Sequence, residues 1–194
     1  MKLMYSLLGL SLCVVACQPK ADNSANEKFE KNSQTVLANL KGFQDENVDY
    51  SQYADDFVMV GTAFGSKDSL SLDDIKKSDK EMWEHYDFKL LDDPVVLLPG
   101  VNPETKEPDG SVRYYGDWLV TLPATDSTEA RSGVIKYYEY FVFDDNGKIV
   151  EQAGYGDYGG LFAYLHGIGG DAGWGNNLPT ENFKDGYYSD EDKD

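Results

Sequence analysis

Between Arg131 and Asp157 apolar and polar residues alternate in steps of two on both sides of Asp144-Asp145-Asn146-Gly147. This pattern predicts a β-hairpin, with Asn-Gly supplying the two positive-φ positions of a tight turn. Upstream the period is that of helices. Ser24 and Glu27 fit a capping box, and Phe29, Val36, Leu37, Leu40 and Phe43 share one stripe, which predicts a helix over 26–44. A second short helix is expected over 48–55, with Tyr50, Tyr53 and Phe57 leading into a strand over 57–62. Ser71 is a plausible N-cap and Asp73 and Asp74 suit the positive end of a helix dipole; Leu72, Ile75, Met82, Trp83 and Tyr86 then recur every three to four residues, which predicts a helix over 72–86. The period returns to two over 87–98 and 112–122. The insert 99–110, rich in proline and glycine, reads as a loop or a long hairpin end. Tyr158–His166 is a further short helix candidate.

Helix, short helix, strand, helix and then a meander of long strands is an order that resembles the nuclear-transport-factor-2-like cone, in particular its polyketide-cyclase-like (SnoaL-like) branch. Phe141-Val142-Phe143-Asp144-Asp145-Asn146-Gly147-Lys148-Ile149-Val150-Glu151 looks like that branch's closing hairpin, with Asp157 where its strand often ends in aspartate. The resemblance covers 27–157. It implies an α+β domain whose curved antiparallel sheet wraps over N-terminal helices and encloses a conical pocket, where family enzymes place a carboxylate base or a histidine.

The N-terminus adds an address. Lys2 and the apolar run 3–16 form a signal segment too short to span a bilayer as a helix. Val14-Val15-Ala16-Cys17 resembles the bacterial lipobox, in which the cysteine becomes the lipidated N-terminus. Residues 1–16 are then a lipoprotein signal peptide, 17–26 a polar tether, 27–157 the domain, 158–183 an aromatic and glycine-rich extension, and 184–194 an acidic tail expected to be disordered. With Cys13 removed and Cys17 acylated, no thiol remains for a disulfide or metal. Each acyl methylene contributes roughly 0.8 kcal/mol, so the multiple acylation that the resemblance implies would hold the domain firmly to a membrane. Gln18 rather than aspartate after the cysteine favours the outer membrane of a Gram-negative envelope.

Net charge is −18, and loss of Lys2 with the signal segment (−18 − 1) makes it −19. Repulsion disfavours nucleic acid as a partner. The aromatic content of 13% supplies a core for one domain.

Candidate chemistry is sparse. Ile135, Tyr137, Glu139, Phe141 and Phe143 share one strand face, which makes Glu139 an acid among aromatics. If that face lines the pocket, burial would raise its pKa and fit it for general-base work, with Tyr137 to steady an oxyanion. Asp117 is a weaker candidate, because the opposite face of its strand (Tyr114, Gly116, Trp118, Val120) is the more apolar one. His85, at the end of the third predicted helix, more simply partners a helix dipole. Trp83, Tyr137, Glu139 and Phe141 are candidate ligand contacts. Gly154, Gly156 and Gly159 match GxGxxG, but no strand-helix-strand unit follows. Asp144–Gly147 lacks the rest of a calcium loop. Two scattered histidines make no transition-metal cluster, and no cofactor is expected.

Three functions fit these residues. The first is a lipid-anchored envelope domain whose pocket binds a small apolar ligand or a partner protein without catalysis. The second is a cyclase, isomerase or dehydratase using Glu139 or Asp117 as base. The third is a homodimeric structural module joined through a sheet face.

Overall fold

The computed structural model describes residues 24–168. The signal segment, Cys17, most of the tether, and 169–194 lie outside the described residues. The chain order is α1 (Ser24–Gln44), a 3₁₀ turn (Tyr50–Gln52), β1 (Tyr53–Val60), β2 (Ser69–Leu70), α2 (Leu72–Trp83), β3 (Asp87–Leu90), β4 (Leu97–Val101), β5 (Pro108–Leu122), β6 (Arg131–Phe143), β7 (Ile149–Tyr155) and α3 (Tyr158–Leu165).

One curved sheet holds all seven strands in the order β2-β1-β7-β6-β5-β3, with β4 also on β5. Its neighbours are antiparallel except β1 and β7, which run parallel. No hairpin joins these two strands, so no turn dictates their relative direction. The cone architecture stands, with a mixed rather than purely antiparallel sheet.

Several elements differ from expectation, each for a local reason. The second N-terminal helix shrinks to the single 3₁₀ turn, capped by Asp49, whose side chain accepts from Ser51 N–H, and β1 begins already at Tyr53. The strand expected over 87–98 divides into β3 and β4, which pair with successive parts of β5; Pro94, between them, has no N–H to give a ladder. The insert 99–110, by contrast, takes the second of its two expected forms, a long hairpin end, with β4 and β5 paired as far as Val101 with Pro108. In the β6–β7 turn only Gly147 takes positive φ (79°). The Asp144 carboxylate accepts from the N–H groups of Asn146 (2.9 Å) and Lys148 (2.8 Å), and Gly147 N–H donates to the Asp144 carbonyl at 3.1 Å. That is a right-handed turn followed by a left-handed glycine, in place of the two-residue turn expected from Asn-Gly. Ser71 caps α2 as predicted, in a reciprocal box with Asp74.

Helices pack on the concave side only. α1 lies across β5, β3 and β4, α2 against β1, and α3 against β6. The core joins Val36 and Leu40 of α1 to Val112, Tyr114, Phe141 and Ile149 of the sheet and to Leu161 and Leu165 of α3. α3 falls within the stretch read as a C-terminal extension, yet shares this core. It starts where β7 ends, with Asp157 capping it by accepting from Gly160 N–H, so the GxGxxG run is a strand-to-helix junction.

Candidate functional site

The alternation of β6 decides what the concave face carries. Ile135, Tyr137 and Glu139 point toward the helices and line a cavity of about 370 Å³ between the sheet and all three helices. Trp118 of β5, Phe88 of β3 and Tyr53 of β1 complete the sheet side; Phe43 of α1, Asp79 and Met82 of α2, and Tyr158 and Phe162 of α3 form the roof. Trp118 meets the Phe43 ring edge-on, with centroids 5.8 Å apart.

Glu139 is 5% exposed. Gln152 Nε2 donates to its Oε1 at 2.6 Å, and the Tyr137 hydroxyl donates to the same oxygen at 3.3 Å. Opposite Glu139 across the β6–β7 pair stands Gly154. A Cβ there would lie 1.7 Å from Tyr137 Oη, so glycine is what lets the phenol reach the carboxylate. Burial raises the Glu139 pKa to about 7, against the restraint of its two donors and with a push from the negative charge of Asp79. Burial and the Glu139 charge also push the Tyr137 and Tyr158 phenols up, which keeps both as O–H donors.

A second acid faces the same space. Asp79 accepts from the Tyr50 hydroxyl at 2.8 Å, and burial raises its pKa to about 6 despite that bond. Nearby, Asn39 Nδ2 donates to the Tyr53 hydroxyl at 2.8 Å. Two lining residues each hold a buried polar atom with no hydrogen-bond partner among the described residues: Trp118 its indole Nε1, a donor, and Gln152 its Oε1. Among the described residues no Lys, Arg or His lines the cavity. No group of three or more His, Cys, Asp or Glu among them could hold a metal.

The predicted site residues thus separate. Glu139 and Tyr137 come together in the cavity. Phe141, on the same face, is fully buried in the core and is not part of the lining. Trp83 packs on Phe43 and donates its indole N–H to the Phe43 carbonyl at 3.0 Å, outside the cavity. His85 is exposed beyond α2. Asp117 lies on the opposite face of the sheet, paired with Lys136 directly across from it.

Asp79, Asn39 and Gln152 did not stand out in the sequence. A signal existed for the first two. Asp79 continues the stripe Leu72, Ile75, Met82, and Asn39 falls between Val36 and Phe43 at the same spacing. Polar residues on an inward stripe mark places where something must be bonded.

A domain of one curved sheet, with helices on its concave face and a cavity between them, is a pocket-bearing α+β cone. Its fold is of the nuclear-transport-factor-2-like kind. The chain is similar in structure to a candidate polyketide cyclase from Xanthomonas campestris (17% identity, TM-score 0.54, covering 73% of this chain and 99% of that one). It is likewise similar to a candidate polyketide cyclase from Pseudomonas putida (15%, 0.52, 69% and 96%). A third likeness is to a candidate SnoaL-like polyketide cyclase from Shewanella denitrificans (16%, 0.50, 72% and 98%). At these identities the likeness is one of fold. No family model matches the sequence, and no curated protein matches it.

Proposed function

We propose that this chain is a lipid-anchored cell-envelope protein whose cavity binds one small, largely apolar ligand. The observation that carries this reading is the cavity itself: about 370 Å³, walled by aromatic and aliphatic side chains, with a few polar atoms converging on it. That is the usual make-up of a small-molecule site, at the small end of its size range. The buried Trp118 N–H, a donor with no partner among the described residues, adds a polar point to this lining.

Native mass spectrometry of the full-length protein extracted from membranes tests the reading. A bound mass is expected in the natural protein, and its loss in Ser78→Trp, which fills the cavity from α2. Protein that carries no ligand and takes up no apolar probe would overturn it. The anchor is tested separately: Cys17→Ala should move the protein from the membrane to the soluble fraction and abolish labelling by an alkynyl fatty acid. Labelling that persists in that variant would refute the lipid site.

A second reading is favoured by the meeting of Glu139 and Tyr137. A buried acid titrating near neutrality beside a phenol donor is the equipment for removing a proton next to a carbonyl while the phenol steadies the developing oxyanion. The cavity would then serve a cyclase- or isomerase-type reaction; two of the structurally similar proteins are candidate polyketide cyclases. Exchange of the ligand's α-hydrogen with deuterated water should follow in the natural protein and stop in Glu139→Gln. Exchange at equal rates in both would leave binding as the only role.

A further inference from the structure

The charge pattern of the cavity is one-sided. Asp79 enters from α2 and Glu139 from β6, and among the described residues no cation lines the space between them. Surface acids of a chain this acidic are ordinary; two acids turned into an apolar cavity with no balancing base are not, because each is costly to ionise there. The aromatic walls change that balance for one kind of guest. Trp118, Tyr53, Tyr137 and Phe43 line it, aromatic rings attract a cation over their faces, and a positive guest would let both carboxylates ionise together.

Gln152 points the same way independently. Its amide nitrogen is committed to Glu139, while its Oε1, on a residue 8% exposed, accepts no hydrogen bond from the described residues. A free acceptor next to a carboxylate suits a donor that carries positive charge, and an ammonium N–H meets both at once.

We infer that the ligand of this cavity is an apolar organic amine, bound as its ammonium ion between Glu139, Gln152 and Asp79, with its hydrocarbon body against the aromatic walls. The inference rests on the ligand-binding reading above and names the chemical class of the guest. A carboxylate guest of the same shape is disfavoured by repulsion from the two acids. A neutral guest gains the apolar contacts but leaves the charge imbalance uncorrected.

Isothermal titration of the full-length protein in mild detergent with three probes of one shape tests it: phenylbutylamine, phenylbutanol and phenylbutyrate. The amine is expected to bind at least about tenfold more tightly than the alcohol, and the acid not at all. Glu139→Gln and Asp79→Asn should each weaken the amine by about tenfold while leaving the alcohol within about twofold. Two variants are used so that a folding defect in one leaves the other to decide, and the alcohol reports an intact cavity in each. If the alcohol binds as well as the amine, or the variants leave the amine unchanged, the ammonium inference falls and the pocket reading survives. If none of the three probes binds, both fall.

Discussion

Gln152 Nε2 and Glu139 Oε1 meet at 2.6 Å on the concave face of the β6–β7 hairpin, two residues off the direct register. The residue directly opposite Glu139 is Gly154, and the space a side chain there would take is filled by the Tyr137 ring, which bonds the same carboxylate. Four expectations follow from this arrangement and from the packing around it.

Glu139 should make the folded protein less stable as pH rises. Its carboxyl ionises near 4.5 when unfolded and near 7 when folded, so between those values the folded state keeps a proton that the unfolded state has released. Stability then falls across that window and levels off above it, by an amount of about 3 kcal/mol at about 1.4 kcal/mol per pH unit. Asp79, also raised, acts in the same direction. Glu139→Gln should therefore gain on the natural protein in melting temperature between pH 4.5 and 7. A difference independent of pH would show that the carboxyl is not buried as described.

Gly154→Ala should cost about 1–3 kcal/mol in urea denaturation, the usual range for overpacking. The new methyl would collide with the Tyr137 hydroxyl and ring. Because the phenol must swing away from Glu139, the carboxyl titration, followed by NMR, should move as well. A stable variant with an unmoved Glu139 titration would contradict the geometry.

Asn39→Leu should destabilise by about 1–3 kcal/mol, because it strands the buried Tyr53 hydroxyl. Tyr53→Phe in the same chain should restore much of that loss, since both ends of the bond are then apolar. Additive losses in the double-mutant cycle would count against the bond.

Leu165→Ala should cost about 2–4 kcal/mol, the range for deleting a fully buried leucine, because Leu165 is 1% exposed in the core formed with β6. Truncation after Asp157 removes Leu161 as well and uncovers the cavity roofed by Tyr158 and Phe162. A truncated chain that melts at the natural temperature would place α3 outside the core.

Much of this is readable in the sequence. The switch from helical to two-residue periodicity located α1, α2 and the long strands, because amphipathic spacing is set by which face of a local element must leave water. The same rule put Glu139 and Tyr137 on one face and Trp118 on the inward side of β5. Turn chemistry was legible only in part: Asn-Gly marked the position of the β6–β7 turn, but the Asp144 carboxylate, by holding two N–H groups, chose its type.

The sequence by itself determined the order of the long helices and strands, the inward faces of β5 and β6, and thus one of the two acids that the cavity contains, since each of these depends on local periodicity and burial. Only the tertiary structure decided that Asp79 and Gln152 join Glu139, that Asp117 and Trp83 do not, that β1 runs parallel to β7, and that α3 roofs the cavity. These are relations between segments tens of residues apart. They depend on register and on how helices lie across a curved sheet, and no local pattern records where two distant faces will meet.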